Sequence, residues 1–374
     1  MMTSMWTTWQ AAWLQRQRLH EQLRVAASCG EPLSPAMHKL GMAVLTPNYL
    51  NSYWASEHGS IILARTYGNV DTPSRGDATM HAMPWVSAAV WLPVGDLNED
   101  GRMRFTQATP RAAAAAAAAA APDISEEEEP ASPNLPRMLQ AKWAELKGKL
   151  VVTHPWPSMA RTVWGDPELA ASDGWVGDLD KYRARYWSSF CSDDGEPVMA
   201  LDINDIGRPW ADGAFSVLGY AREELRLGLE GTVVAAAELE AAMLSATNEV
   251  IDAVVVALPH DRTHADGQHG KVMSVAIACL VMPEGVEITE ELLNRLKKGV
   301  YEALDANCVP ADFVRIPAIP RTHSAKPMRN VVQRLFRSEG GFELSDVSEI
   351  ANPSCLLELK AAIDEWRFEN FSRA

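Results

Sequence analysis

The 374 residues contain no Cys-x-x-Cys pair, no apolar run long enough to cross a bilayer, and no excess of positive charge. The five cysteines, Cys29, Cys191, Cys279, Cys308 and Cys355, are scattered. Scattered single cysteines read as reduced thiols, so a cytoplasmic location is expected, with an organelle left open. Without a membrane-length run no helical span is expected, and Met1–Leu23 lacks the apolar stretch of a secretory signal. Lysine and arginine number 34 against 49 acids, a net charge of −15. A nucleic-acid binder needs a basic footprint that displaces counterions, so that class is set aside. A local basic pocket for a nucleotide is still compatible with this balance. What is present is ordinary globular composition, 47% apolar and 22% charged, at a length that fits two domains.

Periodicity outlines the elements. Met1–Leu23 carries Trp6, Trp9 and Trp13 and reads as a helix leading into the first domain, an amphipathic or transit-like segment being the alternative. Leu23–Pro35 reads as a short strand broken by Gly30 and Pro32, with a helix opening at Ser34 or Pro35. Tyr49–Ala64 reads as two strands about a tight turn at His58-Gly59, and Trp85–Ala108 as strands about Asn98–Gly101. Ala112–Ala121 is all alanine and is followed by Glu126–Glu129 and prolines. Thr109–Pro136 is therefore expected as a disordered or loosely helical insertion. Leu150–Asp166 is a strand entering the proline-locked turn HPWP, and Ala200–Glu224 is a hairpin across Asp212-Gly213. Val234–Met243 and Glu290–Leu304 have helical spacing, while Ala253–Leu258 and Met273–Val281 are β-branched runs expected as strands. Leu359, Ile363 and Trp366 share one face of a terminal helix. The loop His260–Gly270 holds His260, His264 and His269, but no helical face collects them, and a solvated loop is expected.

Ile316–Asn330, IPAIPRTHSAKPMRN, puts one lysine in a distinctive place. Pro317 and Pro320 rule out helix on the approach. Thr322–Ala325 then make a turn from which Lys326 projects, Pro327 closes it, and a helix follows with Val331, Val332, Leu335 and Phe336 on one face. Taken alone, such a residue is a solvated loop lysine.

The stretch P-R-T-H-S-A-K-P-M-R resembles the C-terminal lysine motif of the adenylate-forming acyl-CoA synthetases, P-K-T-x-S-G-K-x-x-R, with Ala325 at the glycine. Other stretches, in order, resemble acetyl-CoA synthetases in particular. Ala27–Pro35 is similar to G-S-x-G-E-P-x-x-P, and Tyr53–Gly59, YWASEHG, to W-W-Q-T-E-T-G. HPWPSMARTVWGD is similar to K-x-P-W-P-x-M-A-R-T-x-x-G-D, YRARYWSSF continues it, and Ser345–Leu357 is similar to the family's tail. The resemblance implies an α/β plus α+β fold. Residues 1–220 would be the C-terminal portion of the large AMP-binding adenylation domain, 221–340 the small mobile α+β lid domain, and 341–374 a tail helix.

It also implies a ligase that joins acetate or propionate to coenzyme A through an acyl-adenylate, using ATP and Mg2+. Lys326 would neutralise charge on the α-phosphate, as an electrostatic stabiliser of the transition state. Gly30, Glu31 and Pro32 would contact the adenine and Ser56 the phosphate. Asp205, at the aspartate of T-G-D, would hold the ribose hydroxyls. Glu57 would bind the magnesium ion, and Trp54 would shorten the acyl pocket by its volume. The pattern also departs from the family. Ile203-Asn204 replace Thr-Gly, Tyr220 and Val233 stand where arginines would help hold the nucleotide, and no T-S-G-[ST]-T-G-x-P-K phosphate loop occurs. Neither Tyr220 nor Val233 makes a bidentate phosphate contact. The expectation is accordingly a ligase incomplete as these 374 residues, the alternative being a non-catalytic relative that binds nucleotide or a full-length paralogue.

Overall fold

A computed structural model describes residues 13, 16–65, 78–108, 146–165, 177–210, 212–228, 232–260, 273–337 and 347–371. The expected insertion at 109–136, the histidine loop past His260 and most of Met1–Leu23 lie outside these residues. The chain divides into two compact units. The first comprises Val25–His38 and Pro47–Ala221; the second comprises Arg222–Ala374 with Met1–Arg24 and Lys39–Thr46.

The first unit is built on strands β1 (Ala26–Ser28), β2 (Tyr49–Trp54), β3 (Ile61–Ala64), β4 (Met80–Ala82), β5 (Ala88–Val94), β6 (Met103–Gln107) and β7 (Gly148–Val152). They are followed by β8 (Val163–Trp164), β9 (Gly177–Asp178), β10 (Phe190–Cys191), β11 (Pro197–Val198), β12 (Leu201–Pro209) and β13 (Ala214–Tyr220). Helix α1 (Pro35–Val44) follows β1, only its first residues up to His38 belonging to this unit, and α2 (Leu179–Tyr186) follows β9. Eleven of the strands form one sheet in the order β1-β2-β3-β4-β13-β12-β7-β5-β6-β10-β11. The β12–β13 hairpin turns at Asp212-Gly213, with Gly213 at φ +81°, a left-handed conformation that only glycine adopts freely. Ile62, Leu63, Val90, Leu150, Val152, Tyr182 and Leu201 make the main core of this unit. His38 is fully buried: its Nδ1 accepts from the Ala78 amide at 2.8 Å and its Nε2 donates to the Tyr49 carbonyl at 2.7 Å. Those two partners fix a single neutral tautomer.

The second unit opens with the hairpin β14 (Glu224–Leu227) and β15 (Thr232–Ala235). A three-stranded sheet follows, with β16 (Asp252–His260) antiparallel to β17 (Met273–Val281) and β17 parallel to β18 (Asp312–Ile316). Helices α3 (Ala236–Ala246), α4 (Glu290–Ala303), α5 (Arg329–Arg337) and α6 (Cys355–Phe371) cover it. The run AVVV in β16 does not alternate with polar residues because both faces of the sheet are covered. Ala253 and Val255 pack in one core with Leu239, Met243, Leu292 and Leu296. Val254 and Val256 pack in the other with Val332, Leu335, Leu359 and Ile363. The period of two along a strand divides them in this way.

One boundary differs from its sequence reading. Val234 lies in β15, which runs to Ala235, and the helix expected from there begins at Ala236. Val233 and Val234 pair with Arg226 and Leu225 across the hairpin, a place that suits β-branched side chains. Thr289 caps α4 by accepting from the Leu292 amide at 3.2 Å, and Glu290 and Glu291 favour the positive end of that helix. Among the described residues no helix is long and apolar enough to cross a membrane.

Gly299 is where α4 meets α3, since a Cβ there would lie 2.5 Å from the Ala246 Cβ. Gly299→Leu should therefore lower stability by about 1–3 kcal/mol through overpacking, despite leucine's better helix propensity. Urea unfolding of the variant beside the native chain checks this.

Candidate functional site

Three stretches far apart in sequence meet at the turn after β2. Gly59 sits at φ +68°, and a Cβ on it would lie 1.8 Å from the Ser158 carbonyl oxygen, so this backbone approach admits no side chain. The Ala160 amide donates to the Glu57 carbonyl at 3.4 Å. The His58 ring lies 5.5 Å from Tyr53 and 6.5 Å from Trp156. On the other side, the Tyr182 hydroxyl donates to the Ala160 carbonyl at 2.6 Å, and the Tyr186 hydroxyl to Glu57 Oε1 at 3.3 Å. The segment Trp156–Ala160 is thus held between the Glu57 turn and the tyrosines of α2. Burial lowers His58 to a pKa of about 4, so at neutral pH its ring is uncharged.

Asp205 reaches this neighbourhood through a bulge. Strand β12 pairs with β7 at Asp202↔Val151 and next at Ile206↔Lys149, so extra residues of β12 bow out between them. Asn204, in that bow, has φ +68°. Asparagine tolerates this region better than other residues with a Cβ. Asp202 Oδ1 accepts the Asn204 amide at 2.7 Å, and Lys149 Nζ donates to Asn204 Oδ1 at 2.6 Å, which together hold the turn. Asp205 is buried and accepts from the Tyr53 hydroxyl. Tyr53 is on β2, with three strands between it and β12 in sheet order, so the sheet curls enough to bring them together. Burial, then the charge and hydrogen bond of Asp205, then Tyr220 and Glu57, push the Tyr53 hydroxyl well above its ordinary pKa. Of the two candidate carboxylates, Asp205 holds the Tyr53 phenol and Glu57 accepts from the Tyr186 phenol.

The remaining expected residues of the first unit lie around these. Gly30 is at φ +98° with open space where a Cβ would be, and Pro32 Cγ lies 3.8 Å from where a Cβ on Gly219 would be. Glu31, next in that loop, is half-buried. Ser56 is exposed in the turn. Trp54 is 48% exposed and lies opposite Ile61, itself exposed, so the hairpin end presents an apolar pair. Glu57 is half-buried, and among the described residues no group of three or more metal-binding side chains occurs. A single carboxylate fits a magnesium ion that takes its other ligands from phosphate and water.

Lys326 belongs to the second unit. The loop before α5 is closed by hydrogen bonds from Thr322 N to Lys326 O at 2.9 Å, from Ala325 N to Thr322 O at 2.7 Å and from Lys326 N to Thr322 Oγ1 at 3.1 Å. Ala325, at the place of a glycine in the resembling motif, has φ +68°. Two arginines bracket the lysine. Arg321 donates to Asp252 Oδ2 at 2.6 Å. Arg329 donates to Glu223 Oε2 at 2.7 Å and to both oxygens of Glu240, at 2.9 and 2.5 Å. Burial raises the Glu240 carboxyl, while Arg329 and the Val255 amide pull it down. Tyr53, Asn204, Arg321 and Asp252 have site contacts that the sequence reading did not assign. Tyr53, Asn204 and Arg321 lie within stretches that the resemblance marked, without a role being given to them there, and Asp252 lies in none.

No protein-family model matches the chain. Curated relatives do match it. The chain is 26% identical over 350 residues to the acetyl-coenzyme A synthetase of Pyrobaculum arsenaticum, a match covering 93% of this chain and 41% of that protein. It is 32% identical over 209 residues to the acetyl-coenzyme A synthetase of Pseudoalteromonas atlantica, covering 56% of this chain and 27% of the relative. Among solved structures it superposes on acetoacetyl-CoA synthetase from Streptomyces lividans with a TM-score of 0.56 at 17% identity, over 95% of this chain and 44% of the other. It superposes on ATP-bound MatB from Rhodopseudomonas palustris with a TM-score of 0.54 at 18% identity, over 90% and 52%. At such identities the structures establish the fold alone, a mixed α/β fold aligning with part of each. The chain spans about two fifths of the length of the curated relatives that it matches along almost all of itself.

Two outcomes are expected. Tyr53→Phe removes a donor from a buried carboxylate and should lower stability at pH 7 by about 1–3 kcal/mol. In the native chain the folded phenol keeps its proton where the unfolded one loses it. Stability should therefore fall as pH rises above about 10, and Tyr53→Phe should flatten that fall. Urea unfolding across pH 7–11, about four pH units spanning the free phenol's pKa, checks both. Ala325→Gly relieves a left-handed alanine and should raise stability by up to about 1 kcal/mol, whereas Ala325→Val should lower it. Thermal melts of the two variants read the sign directly.

Proposed function

We propose that this chain, which resembles acetyl-CoA synthetases along almost all of its length, carries the adenylation site of a short-chain acid:CoA ligase. In this reading an acetate or propionate oxygen attacks the α-phosphorus of ATP, giving the acyl-adenylate and releasing pyrophosphate. The thiol of coenzyme A then attacks the acyl carbonyl and releases AMP. One observation carries the reading: Asp205, marked by the family resemblance in one stretch, accepts a hydrogen bond from Tyr53, the first residue of the distant stretch YWASEHG that the same resemblance marked. Asp205 holds the ribose hydroxyls, with Tyr53 fixing one of its oxygens, and Gly30–Pro32 line the adenine. Ser56 bonds a phosphate oxygen, and Glu57 would hold a magnesium ion that neutralises phosphate charge. Trp54 limits the acyl chain, and Lys326 stabilises charge on the α-phosphate.

The first unit is read as the last part of the large adenylation domain and the second as the lid with its tail helix. A second reading, nucleotide binding without turnover, is supported by Tyr220 and Val233 at the two arginine places and by the lack of a phosphate loop in these residues. Backbone amides of such a loop cradle the outer phosphates.

The test is pyrophosphate release from ATP with acetate, for the chain by itself and fused to the remaining part of a relative. The chain by itself should be silent, because losing even one preorganised donor slows such chemistry by about 100–1000-fold. The fusion should turn over, should prefer acetate or propionate, and should accept longer acids after Trp54→Gly. Lys326→Ala should slow it by about 100–1000-fold. A folded fusion that binds ATP yet releases no pyrophosphate would sink the ligase reading in favour of the second.

A further inference from the structure

The loop that carries Lys326 faces a backbone problem. Ala325 is held at φ +68°, where an L-alanine crowds its own carbonyl. A single alanine so placed persists only where neighbouring contacts over-determine it. The contact that does so is a guanidinium. Arg321 Nη1 donates to the Ala325 carbonyl at 2.6 Å, and its Nη2 donates to Asp252 Oδ2, also at 2.6 Å. The other Asp252 oxygen accepts the Ala253 amide at 3.0 Å, so the carboxylate is locked to the first residues of β16. Arg321 and Asp252 are nearly covered, with side chains 16% and 7% exposed, so neither partner drifts in solvent.

The backbone of Arg321 is held as well. Its amide donates to Asn352 Oδ1 at 2.9 Å, Asn352 Nδ2 donates to the Ile319 carbonyl at 2.9 Å, and the Ala351 amide donates to the Arg321 carbonyl at 2.8 Å. An asparagine can accept and donate in this way at once, which an ionised aspartate cannot. The carbonyl that Arg321 grips is in the peptide whose nitrogen is that of Lys326. That nitrogen is also bonded to Thr322 Oγ1, and the Lys326 carbonyl to the Thr322 amide. Both peptides flanking the lysine are therefore fixed, and with them the direction in which its Cβ leaves the chain.

We propose that Arg321 is a positioning residue for Lys326, holding the Ala325–Lys326 peptide against the buried carboxylate of Asp252. The catalytic meaning of this rests on the reading of Lys326 given above; the mechanical claim does not. A planar fork with two donor nitrogens can bridge a carbonyl and a carboxylate that a lysine ammonium on a single stem cannot reach together. Arg321→Lys therefore separates positioning from stability: it keeps a charge beside Asp252 but loses the grip on Ala325.

The experiment uses the full chain as native protein, Arg321→Lys and Arg321→Ala, with hydrogen exchange followed by residue and 13C-lysine NMR. The Lys326 signal is assigned by its disappearance in Lys326→Arg. In Arg321→Lys the amides of Ala325 and Lys326 should exchange roughly tenfold faster or more, as expected for a lost charged hydrogen bond. The Lys326 13Cε signal should shift, while amides of β16 and α5 keep their protection. Should Arg321→Ala fail to fold, Arg321→Lys alone decides. Native-like exchange and an unmoved Lys326 signal in Arg321→Lys would overturn the proposal, as would equal loss of protection throughout the unit, which marks a structural role only. A loop that loosens as described in a chain whose fusion never turns over would uphold the positioning and remove the ligase reading. The two failures are thus distinguishable.

Discussion

Everything assembled around Glu57 depends on the absence of a single carbon atom. At Gly59 the backbone of one turn runs against the carbonyl of Ser158, with no room for a Cβ between them. That approach brings the Ala160 amide to the Glu57 carbonyl and lays Trp156 beside His58. Tyr182 and Tyr186 complete the enclosure from α2. Each of these hydrogen bonds is worth only about 1 kcal/mol net. They act together because a rigid close contact sets their geometry in advance.

How far the sequence reveals this depends on what kind of force is at work. The strands were legible where a half-buried sheet imposes alternation or a doubly covered one imposes an apolar run, as in β16 and β17. The turn at His58-Gly59 and the hairpin at Asp212-Gly213 were legible through their glycines. The contacts that aim the side chains were not. Nothing in the period of β2 says that the Tyr53 hydroxyl meets Asp205 across a curled sheet, and nothing around Arg321 says that it grips a carbonyl four residues on. Such contacts arise from tertiary geometry, and their local signals are those of any polar residue in a loop. The strand at Thr232–Ala235 was hidden for a similar reason: Val234 fits a helical face as well as a hairpin, and the pairing with Leu225 decides.

Positions where a residue changes but its backbone does not are instructive. Asn204 and Ala325 both stand where the resembling motifs have glycine, and both hold φ near +68°. The bulge before Asp205 accommodates the change through an asparagine whose own amide is caught by Asp202. The lysine loop accommodates it through a neighbouring guanidinium. A left-handed backbone is thus kept by two different means: local side-chain bonding in one place and a buried ion pair in the other. In the second case the pair comes with an obligation, because a buried acid stripped of its arginine is left uncompensated, typically at a cost of about 3–5 kcal/mol. Glu240 beside Arg329 is under the same constraint.

The cysteines that first suggested a reducing environment have a practical side. Four of the five thiols are buried, and burial raises Cys279 and Cys355 above the ordinary thiol range. Cys29 alone is exposed, one residue before Gly30 in the loop after β1. A thiol-directed fluorophore or spin label applied to the untouched chain would attach at that one place. The protein therefore carries a natural reporter at the rim of the loop read as adenine-contacting, and occupancy there can be followed optically without engineering a single residue.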